Sequence, residues 1–123
     1  MRNVLIVSLL CSCLLPGCSN EHQKISAEEA NRMMAELKDF ILLDVRTAEE
    51  YKSQRIEGAI LIPDNEIRNR VEKEIPDKNK IILVYCRSGR RSGNAAKILT
   101  NLGYKNIYDF GGIVNWPYAT ISD

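Results

Sequence analysis

Histidine is nearly absent from this chain. The one copy, His22, lies in a polar stretch, residues 19–24, with no apolar run around it to build a site. A mechanism that needs an imidazole base is therefore excluded. A surplus of charge of one sign is lacking too: 17 Lys and Arg face 16 Asp and Glu, with no long basic run and no basic face interleaved with aromatics. That argues against a nucleic-acid partner. There is no internal repeat and no low-complexity tract, which excludes solenoids and arrays. No uninterrupted apolar stretch is long enough to span a bilayer comfortably. Met33 and Met34 fall at helical spacing and read as core filler, so neither a metal site nor a cofactor is expected. What remains is 123 residues, 45% hydrophobic and 27% charged, the balance of one ordinary globular domain.

Usable cysteine is scarcer than the count of four suggests. Residues 1–17 combine Arg2, an apolar core over residues 4–15 and a small residue before Cys18. That is the arrangement of a secretory signal. Leu15-Pro16-Gly17-Cys18 also resembles the bacterial lipobox, which implies cleavage before Cys18 and lipidation of its sulfur; an ordinary secretory signal is the alternative. The expected organisation is a signal over 1–17, a lipidated Cys18 and tether over 18–24, and a domain over 25–123. The product would be exported and held by its lipid anchor on the periplasmic or extracytoplasmic face of a bacterial membrane, since several acyl chains anchor firmly where one does not. Loss of Arg2 from the 17 Lys and Arg leaves a formal balance with the 16 Asp and Glu. Cys11 and Cys13 leave with the signal, Cys18 is blocked, and Cys86 is left without a disulfide partner. In an oxidising compartment that points to a reactive thiol or to pairing between molecules.

The rest of the chain alternates in period. Ser26-Ala27-Glu28-Glu29 and Thr47-Ala48-Glu49-Glu50 are capping boxes, each opening a helix. Ala30, Met33, Met34 and Leu37 share a face of the first helix. Residues 40–43 form a buried strand ending at Asp44-Val45-Arg46. Gly58 turns the chain into a strand over 59–62, closed by Pro63. Asp64 is expected to cap a helix with Ile67 and Val71 inward. Residues 106–109 make a last strand, Gly111-Gly112 a sharp turn, and residues 113–119 a short closing helix around Trp116. Strand-helix alternation predicts an α/β fold with a mostly parallel sheet and helices on both faces.

Residues 81–85, Ile-Ile-Leu-Val-Tyr, read as a strand covered on both faces. The strand ends at Cys86. Arg87-Ser88-Gly89-Arg90-Arg91-Ser92 follow without one apolar side chain. Then Ala95, Ile98, Leu99 and Leu102 mark one face of a helix that Gly103 stops. A cysteine between a strand C-terminus and a helix N-terminus lies where open α/β sheets place ligands. The helix dipole, a curl of loop N–H groups and three arginines would favour the thiolate, which is the reactive form. The same cradle suits an anionic substrate. A cysteine merely buried in a tight turn beside surface arginines is the alternative.

The order and spacing of Leu43-Asp44-Val45-Arg46, Glu50-Tyr51, Ile56-Glu57-Gly58-Ala59, Ile62-Pro63, Cys86 to Ser92, Gly111-Gly112 and Trp116 resemble a single-domain rhodanese, over about residues 25–116. In its exported single-domain form the chain is similar to the periplasmic phage-shock rhodaneses. The resemblance implies the rhodanese-like three-layer fold and a sulfurtransferase. Cys86 would take sulfur from a small anionic donor such as thiosulfate, carry it as a persulfide, and pass it to cyanide or a thiol. Arg87, Ser88, Gly89, Arg90, Arg91 and Ser92 would hold the donor, with Arg46 adding positive charge and Asp44 supporting the structure. Covalent catalysis of this kind splits one difficult transfer into two. The family often has Gly-His-Ile where this chain has Gln54-Arg55-Ile56.

Two other readings stand beside it. A cysteine phosphatase uses a Cys-x5-Arg loop, whereas Arg91 makes this one Cys-x4-Arg, one residue short. A lipid-anchored module that binds sulfide or senses oxidants without turnover would keep the fold but not the transfer.

Overall fold

The computed structural model describes residues 21–123. The expected signal segment and Cys18 lie outside the described residues. Among the described residues five strands form one sheet in the order β1-β5-β4-β2-β3, and their pairings are parallel. They are β1 (Gln23–Lys24), β2 (Ile41–Asp44), β3 (Ile60–Leu61), β4 (Ile81–Cys86) and β5 (Asn106–Gly112). The helices are α1 (Ala27–Glu36), α2 (Ala48–Ser53), α3 (Ile67–Glu74) and α4 (Arg90–Asn101).

The central strand β4 shows why the fold has three layers. Successive side chains of a strand point to opposite faces. Ile82, Val84 and Cys86 enter one core with Ile67 and Val71 of α3 and Ala95, Ala96 and Leu99 of α4. Leu83 and Tyr85 enter the other, with Ala30 of α1, Phe110 and Trp116, and with Tyr51 of α2 against its edge. Each fully buried aliphatic side chain of β4 contributes about 1.5–3 kcal/mol, so neither face could be left to water. Among the described residues no helix is long and apolar enough to cross a membrane.

The chain leaves β2 toward β3 at one edge and leaves β4 toward β5 on the other side. These opposite turns open a crevice at the strand C-termini. The crevice brings Asp44-Val45-Arg46 beside the loop after Cys86.

Several expected elements differ in detail. The tether is partly structured: Gln23 and Lys24 pair with Tyr108 and Asp109, and Ile25 N–H donates to Asp109 O at 2.9 Å. Backbone pairing needs no hydrophobic pattern, so the polar composition concealed it. The box at Ser26 is half-made: Ser26 Oγ accepts from Glu29 N–H, but the Glu29 carboxylate turns to Arg32. Asp64 opens a single 3-10 turn (Asp64–Glu66) without a side-chain cap, and α3 begins after it. The closing helix shrinks to a 3-10 turn, Ile113–Asn115. Pro117 biases Trp116 to extended backbone, and its φ of −86° and ψ of 110° follow. The expected turn at Gly111-Gly112 is absent: both glycines belong to β5, Gly111 taking φ +86° where the register with β4 shifts between Val84 and Cys86, and Gly112 continuing the strand. Gly112 is paired across the sheet with Cys86.

Candidate active site

Cys86 closes β4 with 1% of its surface exposed. The loop over residues 87–89 bends back over it. Gly89 sits at the N-cap of α4 with φ +114°, a conformation glycine takes without strain. Its N–H donates to Cys86 Sγ at 3.0 Å. That bond and the positive end of α4 both favour negative charge on the sulfur. The nest expected from sequence is thus represented by one N–H at the sulfur among the described residues. Val114 N–H donates to Arg87 O at 3.2 Å and ties the loop to the turn after β5.

Gly112 makes this closure possible. A Cβ on it would sit 2.0 Å from Arg87 O and 2.6 Å from Ser88 Cα. Only glycine lets the loop backbone lie this close to β5.

The arginines separate into two kinds. Arg87 and Arg90 are exposed at the loop, and neither makes an ion pair among the described residues. Arg91 instead grips Glu50 through two bonds, of 2.8 and 3.0 Å. Arg46 is 3% exposed and holds Asp44 through its Nε and Nη2, at 2.9 and 2.6 Å, while Nη2 also donates to Gln54 O. Asp44 additionally accepts from the Arg46 backbone N–H at 2.9 Å. Two of the cations expected at the donor therefore carry their own counter-charges. Arg46 still reaches the rim, where it lines a depression of about 270 Å³ with Glu50, Arg87, Ile113 and Val114.

Glu50 was legible only as the reciprocal partner in the capping box of α2, and that box is complete. Its bond to Arg91 spans 41 positions and leaves no local signal. Hydrogen bonding from Arg91, with help from Thr47, holds the Glu50 carboxyl at about 2 against burial, below its ordinary 4.5. A depressed carboxylate stabilises the fold fully above pH 4.5, and that stability is lost as pH falls toward 2. The pair is about one quarter exposed, so screening limits its worth to about 1–2 kcal/mol. Urea melts across this window are expected to lose that much in wild type, and the loss is expected to be missing in Glu50→Gln. Equal losses would show that the pair does not couple to folding.

Arg55 stands where the family often has histidine. It lies over the Tyr51 ring at 4.6 Å, donates to Tyr51 O at 3.0 Å and pairs with Asp123 at 2.8 Å. Its backbone exchanges hydrogen bonds with Ile121, at 2.9 and 2.8 Å. It clamps the C-terminal tail against α2.

Ser92 is fully buried, with its Oγ 3.6 Å from Cys86 Sγ. Behind it lies Asp109, 2% exposed, accepting from the Ser92 hydroxyl at 2.8 Å and from Gly111 N–H at 2.9 Å. In the sequence Asp109 is only the last residue of the strand expected over 106–109. The available signal was alternation: Asp109 shares strand parity with Ile107, which faces the Cys86 core.

The matching family model is the rhodanese-like domain, over residues 26–118. The chain belongs to the rhodanese-like family. Thiosulfate sulfurtransferase PspE of Escherichia coli K12 is 42% identical to it over 71 residues, covering 58% of this chain and 68% of the relative. A sulfurtransferase of Allochromatium vinosum is 35% identical over 94 residues, covering 76% and 86%. A solved Escherichia coli rhodanese with anions superposes at TM-score 0.63 with 36% identity, over 68% of this chain and 98% of that one. This rhodanese-like protein is a transferase of the rhodanese type, with the three-layer fold of that family.

Proposed function

We propose that the protein moves a sulfane sulfur from thiosulfate, or a similar small anion, to cyanide or a thiol through a persulfide on Cys86. The observation that supports this most is the 3.0 Å bond from Gly89 N–H to the buried Cys86 sulfur beneath a cationic loop. A thiolate so held attacks the outer sulfur of the donor, a new S–S bond forms, and the donor's own S–S bond breaks with its electron pair leaving on sulfite. The fixed N–H remains in place to stabilise the persulfide. Arg87 and Arg90 draw the anion to the loop, Arg91 and Glu50 brace α2 against α4, and Asp44 and Arg46 hold the neighbouring rim. The acceptor then attacks the outer sulfur and releases Cys86 as thiolate.

Intact mass of the soluble domain after thiosulfate treatment tests the reading. A gain of one sulfur, removed by cyanide as thiocyanate, is expected. No uptake from any donor would leave a non-catalytic module, and phosphate release from an aryl phosphate without sulfur uptake would favour a phosphatase.

The N-terminal pattern supports export with Cys18 lipidated. In a bacterial host the full chain is expected to incorporate labelled fatty acid and to lose the label in Cys18→Ala. Label retained in that variant would overturn the anchor.

A further inference from the structure

The second half of the proposed reaction needs an acceptor, and the rim of the site bears on its chemistry. The depression of about 270 Å³ beside the cysteine loop is lined by Arg46, Glu50, Arg87, Ile113 and Val114. It has the size of a site for a small metabolite.

Most of the charge around it is already compensated. Glu50 Oε1 accepts from Thr47 N–H at 3.0 Å and from Arg91 Nη1 at 2.8 Å, and Oε2 accepts from Arg91 Nη2 at 3.0 Å. The Arg46 guanidinium is held by Asp44. Two opposite charges this close act on a third as a dipole, whose pull falls off faster than that of a single charge. Arg87 differs. It is exposed, and its guanidinium makes no hydrogen bond or ion pair among the described residues. It is thus the uncompensated cation of this depression.

Val114 stands with it. Among the described residues it is the most exposed large apolar side chain, at 55%. Its N–H donates to Arg87 O at 3.2 Å, so the backbone holds the two residues together. An apolar group laid over Val114 leaves water on both surfaces, which is favourable. A second depression along the loop, of about 410 Å³, has the cations Lys24 and Arg90 but none of the exposed large apolar side chains. Only the first pairs a free cation with an open apolar surface. One guanidinium suits one singly charged planar group, and its fork meets a carboxylate through two parallel bonds.

We propose that the sulfur acceptor is a small aliphatic thiol carrying a carboxylate, bound with the carboxylate on Arg87 and the carbon chain across Val114. The proposal rests on Cys86 carrying the sulfur as a persulfide. The acceptor's thiolate attacks the outer sulfur of that persulfide. An S–S bond forms to the acceptor as the S–S bond at Cys86 breaks, and the electron pair of the broken bond stays on the Cys86 sulfur. The products are the Cys86 thiolate and the acceptor's persulfide, so no outside oxidant or reductant is needed. A thiol without a carboxylate reacts by the same step but forgoes the contact with Arg87. Arg87 and Val114 therefore set acceptor specificity, separately from the chemistry at sulfur.

The acceptor step is measured alone. The mature protein is loaded with sulfur from thiosulfate or polysulfide, freed of donor, and mixed with mercaptopropionate, mercaptoethanol or cysteamine at equal thiolate concentration. Loss of one sulfur from the intact mass gives the rate. Wild type is expected to prefer mercaptopropionate to mercaptoethanol about fivefold, the scale of an exposed ion pair. Arg87→Gln is expected to lose that preference, and Arg87→Glu to favour the cationic cysteamine. Mercaptohexanoate, with its longer chain, is expected to react about threefold faster than mercaptopropionate, a gain that Val114→Ser removes. Wild type showing no preference overturns the proposal. An equal fall for all three thiols in Arg87→Gln does the same, because Arg87 would then act on the persulfide and not on the acceptor. Failure to take up sulfur from any donor defeats the persulfide reading instead. Carboxylate recognition is then read by alkylation of Cys86: the ratio of iodoacetate to iodoacetamide rates is expected to fall about fivefold in Arg87→Gln, and an unchanged ratio counts against the contact.

Discussion

Cys86→Ala is expected to abolish thiocyanate formation from thiosulfate and cyanide while the domain stays folded. Among the described residues Cys86 is the one cysteine, so within this domain no second thiol can take over the sulfur. The alanine keeps the strand and loses the sulfur atom from a packed core that includes Val84, Ala95 and Leu99. That loss, with the Gly89 N–H left lacking its acceptor, amounts to about 1–3 kcal/mol. A modest fall in melting temperature with complete loss of transfer is the predicted pair of results. Transfer persisting in this variant would remove Cys86 from the mechanism. Cys86→Ser is the companion measurement. It nearly preserves volume but replaces a good nucleophile by a hydroxyl with no base positioned to activate it, so it too is expected to be inactive.

Gly112→Ala carries the second large effect. The backbone at Gly112 has φ −121° and ψ 147°, which alanine adopts freely. Any damage must therefore come from the added methyl group. It would meet Arg87 O at 2.0 Å and Arg87 C at 2.6 Å, and both are backbone atoms that no rotamer change can clear. The loop must move away from β5, taking the Gly89 N–H from the sulfur. A destabilisation of about 2–4 kcal/mol is expected. Among molecules still folded, sulfur transfer is expected to fall about a hundredfold, as small misplacements of reacting groups do. Gly111→Ala is the control. It is strained at φ +86° but meets nothing within 4 Å, so it is expected to cost about 1–2 kcal/mol with a much smaller loss of rate. Equal behaviour of the two variants would show that loop closure does not depend on the close approach at Gly112.

Much of this molecule can be read along the chain because the relevant forces are local. The run from Ile81 to Tyr85 has the composition of a doubly covered strand. The faces of Ala30 to Met34 and Ala95 to Leu102 identify two helices by period. Thr47 and Glu50 lie three apart, so their cap is a sequence signal as well as a structural one. Cys86 stands out because every residue from Arg87 to Ser92 lacks an apolar side chain. Errors fall where the deciding contact is distant. Gln23 and Lys24 look like tether until Tyr108 and Asp109 arrive to pair with them. Gly112 resembles its neighbour Gly111 in sequence, yet one takes a positive φ at a register shift in β5 and the other makes room for a loop more than twenty residues earlier.

The cysteine loop with which β4 ends was determined by the sequence alone: strand, thiol, small and cationic residues, then helix. Composition and period suffice there because each piece is specified by its own residues. Only the tertiary structure decided how the loop's charges are used. Arg91 and Arg46 look like free cations on paper, and both are committed to carboxylates, Glu50 and Asp44. Asp109 looks like a strand end and stands behind Ser92, accepting from its hydroxyl. The reason is physical. A charge is defined in sequence by its residue type, but its effect depends on the partner that folding brings within about 3 Å, and that partner can lie anywhere in the chain.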